Sequence, residues 1–212
     1  MRIDIWSDLV CPWCYIGKRR LEHALAQMPD APQVEIVHRS FQLNPSAPMG
    51  TTSKRRDYLM KKYGWSNAQA EKIDSDMEAR AAVDGLEYHL GAEGLTGNTL
   101  DVHRLVHAAA AQGRQEQAVE RFFRAYFTEQ RSLFDKESLL PLAVEAGLDA
   151  ADTQRVLAGN DYTDAVERDV NEARMLGVTG VPFFVFDMKL GVSGAQPIEV
   201  FIDALTQTAT TR

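Results

Sequence analysis

No stretch of this sequence approaches the roughly 18 consecutive apolar residues that a membrane-spanning helix needs. The first residues, Met1-Arg2-Ile3-Asp4-Ile5-Trp6-Ser7-Asp8, are interrupted by two aspartates. They therefore lack the apolar run of about 7–15 residues that marks a secretory signal, and the cytoplasm is the expected compartment. Cysteine is nearly absent too, with two in 212 residues. That excludes the disulfide-stapled scaffold of small secreted domains. Positive charge is in deficit, 23 Lys and Arg against 30 Asp and Glu, a net −7. A general nucleic-acid binder needs the opposite sign for its phosphate contacts, and an acidic surface disfavours docking on anionic membrane. No nucleic acid and no membrane are expected as partners. What remains, 45% hydrophobic and 25% charged, is the composition of a soluble globular protein long enough to bury its own core.

Residues 2–7 alternate apolar and polar and predict a short strand. A helical pattern through Tyr15, Leu21, Ala24, Leu25 and Met28 follows, with Pro29, Asp30 and Pro32 as its stop, and residues 34–41 read as a second strand. Strand, helix, strand make a βαβ unit, whose parallel strands need a crossover helix. After the Pro/Gly loop at 44–50 the chain reads as helix after helix to Leu176: about 53–63, 66–84, from 98, 115–130, 136–146, 150–158 and 161–176. The stripe Val119, Phe122, Phe123, Tyr126 and Phe127 marks an amphipathic helix of the insertion's core. Strands return at Phe183-Phe184-Val185-Phe186 and Leu190-Gly191-Val192-Ser193, joined by a hairpin turn, and a last helix opens near Pro197. The order implies one α/β domain, residues 1–44 and 177–212, carrying an all-helical insertion over 45–176.

The two cysteines form Cys11-Pro12-Trp13-Cys14 at the strand-to-helix junction. A C-x-x-C in that context reads as a dithiol redox site. Proline suits the first helical position, which puts Cys11 at the N-cap beside orphan amide donors and the positive end of the helix dipole. A thiolate is stabilised there, and the thiolate is the nucleophile. Cys14, one turn on, is placed to resolve a mixed disulfide and should be the more buried. A structural zinc site would want four Cys or His ligands. There are no further cysteines, and the histidines (His23, His38, His89, His103, His107) have no finger-like spacing. No metal is expected.

Four segments together resemble the DsbA-like branch of the thioredoxin superfamily, in particular its cytosolic FrnE type. They are Asp8-Leu9-Val10-Cys11-Pro12-Trp13-Cys14-Tyr15-Ile16-Gly17-Lys18, Asn98 to Arg104, Gly177 to Val185, and Ser193-Gly194-Ala195-Gln196-Pro197. The resemblance implies a thioredoxin fold with a large helical insertion between the second and third strands, and dithiol–disulfide exchange or isomerisation on protein or low-molecular-weight disulfides. It makes Cys11 the nucleophile, Cys14 the resolving cysteine and Pro182 a cis-proline facing them; taken alone, Pro182 reads equally as the start of an edge strand. Val181 would pair with substrate through its backbone, and Trp13, Asn98 and Ser193 would line the substrate site. No cofactor is required, and glutathione is a candidate redox partner beside a protein thiol or disulfide. Some FrnE-type proteins carry further cysteines near the C-terminus; these 212 residues hold none, so an internal relay is not expected. A related branch, the 2-hydroxychromene-2-carboxylate isomerases and kappa-class transferases, uses glutathione on small aromatic molecules, typically with serine where Cys11 stands. A peptide-binding holdase is a third reading that no residue requires. Either a monomer or a homodimer fits.

The remaining candidates have plainer readings. His103 and His107 share a helix face at metal-ligand spacing, without a third ligand in register. Asp8 lies three residues before Cys11, where a carboxylate would raise a thiol pKa, so it either points away or modulates the motif. Trp6 reads as core. Lys54-Arg55-Arg56 reads as a solvated helix start.

Overall fold

The computed structural model describes residues 1–28 and 33–210. Two compact units are present, Met1–Leu43 with Asp164–Arg212, and Asn44–Thr163.

The first unit is built on a four-stranded sheet of β1 (Arg2–Ser7), β2 (Glu35–Ser40), β5 (Phe183–Phe186) and β6 (Leu190–Ser193), in the order β2-β1-β5-β6. β1 and β2 run parallel, with Ile5 opposite His38, joined through α1 (Pro12–Ala26). β5 is antiparallel to β1, with Ile5 opposite Phe184, and β5–β6 is a hairpin. Period-two alternation gives the sheet two unlike faces. Ile3, Ile5, Phe184 and Phe186 meet Leu21 and Ala24 of α1 and Phe201 and Leu205 of α9 (Ile198–Thr210). Phe184 and Phe201 pack edge to face at 4.8 Å, and each such side chain contributes about 1.5–3 kcal/mol by leaving water. The other face carries Trp6 and Val185 against Ala173 of α8 (Thr163–Met175). α1 ends at Ala26; the expected stop at Pro29, Asp30 and Pro32 lies outside the described residues.

The division of the chain differs from the one read off the sequence: α8 belongs almost wholly with the sheet rather than the insertion. Polar bonds explain it. The Trp6 indole N–H donates to the Asp169 carbonyl at 2.9 Å, and Asp169 Oδ2 accepts from the Ser40 amide at 2.8 Å. Arg39 reaches Asp169 and the buried Asp4 with its guanidinium 5.9 Å above the Trp6 ring. Helical periodicity reports the apolar face of α8 but not these partners.

The second unit holds α2 (Arg55–Tyr63), α3 (Asn67–Val83), α4 (Leu100–Ala111), α5 (Gln115–Phe127), α6 (Lys136–Glu145) and α7 (Ala150–Ala158). The α5 stripe is buried, and Phe127 stacks on Tyr88 at 4.6 Å. The unit is not all-helical: β3 (Thr52–Lys54) and β4 (Leu95–Gly97) form an antiparallel ribbon. Strands this short, with β3 fully exposed, carry no alternation to read.

Candidate active site

β1 delivers the chain to a turn whose end is the Cys-Pro-Trp-Cys segment. The Cys11 amide donates to the Asp8 carbonyl at 2.9 Å, which turns the backbone out of the sheet. Cys11 then takes the extended conformation of an N-cap, with Pro12 in the first turn of α1. The Cys14 amide donates to the Cys11 carbonyl at 3.0 Å. Both cysteines are free thiols, Cys14 1% exposed and Cys11 5%. Trp13 between them is 36% exposed.

The Cys14 thiol is strongly perturbed by its surroundings. Burial pushes the Cys14 thiol well up; the hydrogen bond and charge of Cys11 and the charge of Asp8 add to this, and a hydrogen bond from the Asp8 backbone opposes it. Cys14 is thus held as a protonated reserve, while Cys11 sits at the N-cap of α1. Asp8 is one of the charges that raise the Cys14 thiol. It is fully buried, with Oδ2 accepting from the Leu43 amide at 2.8 Å.

The Val181–Pro182 peptide bond is cis, and the Cys11 thiol donates to the Val181 carbonyl at 3.6 Å. The Pro182 carbonyl accepts from the Gly194 amide at 2.8 Å, which ties the Ser193-Gly194 turn to the same loop. Arg20 of α1 donates to the Ala195 carbonyl at 2.7 Å. Cys11, Cys14, Trp13, Val181, Pro182 and Ser193 therefore all belong to the sheet unit, with Trp13 and Ser193 exposed and Val181 half-buried. Asn98 belongs to the other unit. There its amide donates to the Ala47 and Pro45 carbonyls at 2.6 and 3.3 Å and accepts from the Leu100 amide at 2.9 Å, so it holds a loop to the start of α4. Arg104 is buried in the same unit, bound to Asp101 and to the carbonyls of Val156, Gly159 and Asp161. His103 is buried and His107 half-buried. Among the described residues no group of three or more His, Cys, Asp and Glu converges as metal ligands would.

One contact was missed from the sequence. A Cβ on Gly17 would stand 2.9 Å from Pro182 Cγ and 3.1 Å from Phe184 Cζ. The absent side chain lets α1 lie directly on the proline loop. The signal was a glycine inside a helical pattern, which marks close approach.

This geometry suits thiol–disulfide exchange, in which an N-terminal thiol attacks a disulfide and a buried thiol one turn away completes the exchange. Comparison with known proteins bears on the family. The chain shares 48% identity and a TM-score of 0.95 with the crystal structure of a probable DsbA oxidoreductase from Streptomyces coelicolor, covering 100% of this chain and 91% of that one. It shares 20% identity and a TM-score of 0.73 with a 2-hydroxychromene-2-carboxylate isomerase, covering 100% and 97%. The uncharacterized protein YwbO of Bacillus subtilis (strain 168) is 27% identical over 97% of this chain and 96% of its own length. Residues 2–206 match the DSBA-like thioredoxin domain, and with the paired thiols, the cis-proline and the mixed sheet in place, the chain belongs to that family of thiol oxidoreductases.

Proposed function

We propose that the protein is a cytoplasmic dithiol–disulfide oxidoreductase or isomerase acting on protein or low-molecular-weight disulfides, with glutathione or a protein thiol as its redox partner. The observation that carries this reading is the Cys11 thiol at the α1 N-cap, hydrogen-bonded to the carbonyl before the cis-proline. The Cys11 thiolate attacks one sulfur of the substrate disulfide. A Cys11–substrate bond forms, the substrate S–S bond breaks, and the second substrate sulfur leaves with the electron pair and takes a proton. Cys14, as thiolate, then attacks Cys11 Sγ and releases the first substrate sulfur. The substrate has gained two electrons and the enzyme carries a Cys11–Cys14 disulfide. No other cysteine is present in these 212 residues, so two external thiols return the pair to the reduced form. The substrate's extended backbone would lie along Val181, and Trp13 and Ser193 would contact it.

Cys11→Ser should abolish insulin-disulfide reduction, and Cys14→Ser should leave a trapped mixed disulfide on Cys11, seen by mass spectrometry. Wild-type turnover by the Cys11→Ser variant would sink the assignment. The isomerase of similar fold supports a second reading, a glutathione-dependent isomerase, less well. In that branch serine typically binds the glutathione thiol, and here the position is Cys11. Isomerase turnover of an aromatic substrate with Cys11 removed would favour it.

A further inference from the structure

We propose that Arg20 is a positioning residue for extended peptide substrates: it holds the turn on which the cis-proline loop leans beside Cys11. The inference rests on the oxidoreductase reading above and gives work to a side chain outside the dithiol.

The loop between α8 and β5 brings Val181 to Cys11. Among the described residues, two hydrogen bonds hold the backbone of 181–182. The Val181 carbonyl accepts from the Cys11 thiol at 3.6 Å, and the Pro182 carbonyl accepts from the Gly194 amide at 2.8 Å. A thiol is a weak donor, so the firm bond is the second. Packing adds a stop, since Pro182 lies on α1 where Gly17 has no side chain. A peptide group that is to pair with a substrate strand needs its direction set as well as its distance. The direction of the Val181 peptide therefore depends on where Gly194 stands.

Gly194 is weakly placed by its own strand. β6 lies at the edge of the sheet, paired with β5 alone, and ends at Ser193. The turn beyond it has a left-handed backbone at Gly194, φ 83°. It is closed by bonds within itself: the Gln196 amide donates to the Gly194 carbonyl at 2.9 Å, and the Gln196 side chain donates to the Ser193 carbonyl at 2.8 Å. Those bonds shape the turn without fixing it to a neighbour. Arg20 fixes it. This residue lies one turn after Gly17 on the same face of α1, and its Nη1 donates to the Ala195 carbonyl at 2.7 Å and to the Gln196 carbonyl at 3.4 Å. The basic residues before it, Lys18 and Arg19, pair with Glu22 instead. The path from Arg20 through the turn, the Gly194 amide and the Pro182 carbonyl to Val181 and Cys11 is continuous and lies within one unit.

The exposure of these groups separates position from stability. Arg20 and Ala195 are half-buried and Gln196 is exposed, so water replaces the lost donor when Arg20 is removed and the fold loses little. What is lost is the alignment of the loop. A disulfide set in an extended peptide needs that alignment, because its backbone would pair with Val181. A small disulfide without a peptide backbone does not.

The test compares a short peptide closed by one disulfide with 2-hydroxyethyl disulfide. Reduced protein, in excess and at a series of concentrations, is mixed with each and quenched with acid, and the product thiols are followed by mass spectrometry. Arg20→Met should raise the half-saturating concentration for the peptide about tenfold, the scale of one hydrogen bond to a charged group. Its maximal rate on the peptide should stay within about twofold of wild type. On 2-hydroxyethyl disulfide the same variant should lose no more than about threefold. Arg20→Lys keeps a cationic donor for the Ala195 carbonyl and should bring the peptide value back to within about threefold of wild type. Arg20→Gln should share the peptide-only loss, and carries the test if Arg20→Met folds poorly. An equal loss on both disulfides overturns the assignment, since it marks a merely structural role. So does an unchanged half-saturating concentration for the peptide, or a Lys variant no better than the Met variant. If the wild type reduces neither disulfide, it is the oxidoreductase reading that fails, and the assignment with it.

Discussion

At the scale of single residues, the structure separates side chains that react from those that hold the reacting ones in place. Gly17 is the clearest of the second kind. A methyl there would meet Pro182 Cγ at 2.9 Å and Phe184 Cζ at 3.1 Å, and a proline ring cannot rotate aside as a flexible side chain would. Alanine would gain about 1 kcal/mol of helix propensity and lose about 1–3 kcal/mol to overpacking. On balance Gly17→Ala should be less stable by about 1 kcal/mol, read as a lower urea midpoint. Disulfide reduction should fall further than that loss explains, because the displaced loop carries the Val181 carbonyl away from Cys11. An unchanged turnover number in a destabilised Gly17→Ala protein would show that this contact serves stability alone. Arg104 makes a contrasting case. Its guanidinium is spent on Asp101 and on carbonyls at and just beyond the C-terminal end of α7. Arg104→Met leaves Asp101 and those carbonyls without their donor and should cost about 3–5 kcal/mol, as breaking a buried pair does. The check is the denaturation midpoint of the variant.

At the scale of elements, the helix starts show how side chains fix where an element begins. Asp135 caps α6: its carboxylate accepts from the Ser138 amide at 2.8 Å and from the Ser132 hydroxyl at 2.6 Å. Burial pushes this carboxyl up, but the hydrogen bonds from Ser132 and Ser138 outweigh it and hold it below the usual range. A carboxyl lowered in the folded state adds stability above its unfolded pKa and loses it as pH falls through the folded value. Asp135→Ala should accordingly cost about 1 kcal/mol, equally from pH 5 to 8. The gap to wild type should narrow as pH drops below about 4, the ordinary Asp range. A gap that persists unchanged into acid would mean that the carboxylate charge has no part in the cap. Elements with this kind of local signature were readable from sequence: the proline at the start of α1, the aromatic stripe of α5, and the β5–β6 hairpin all appear where expected. The ribbon of β3 and β4 was not, since its pairing of Thr52 with Gly97 spans distant residues. Nor was the placement of α8, which depends on Arg39, Asp169 and Trp6 finding one another across the fold.

At the scale of the whole molecule, spacing alone put the two thiols at one helix end. It could not show that Gly17 seats the proline loop, or that Asp8 turns inward, because both depend on contacts between segments far apart in sequence. Net charge, by contrast, is fully readable in sequence and acts at long range. The chain carries −7, and charge of one sign repels like-charged reactants over a distance set by the Debye length, about 8 Å at physiological salt. Glutathione disulfide is anionic and cystamine is a cationic disulfide of similar reactivity, so the two sample the field with opposite sign. Mixed-disulfide formation at Cys11 should speed up with added salt for glutathione disulfide and slow down for cystamine, the two plots of log rate against ionic strength sloping in opposite directions. Stopped-flow measurement from low to physiological salt at fixed pH resolves the slopes. Because the thiol and its protonation are common to both reactions, only the long-range field differs between them. Slopes of the same sign would mean that charges local to Cys11, rather than the net charge, govern which disulfides this protein meets first.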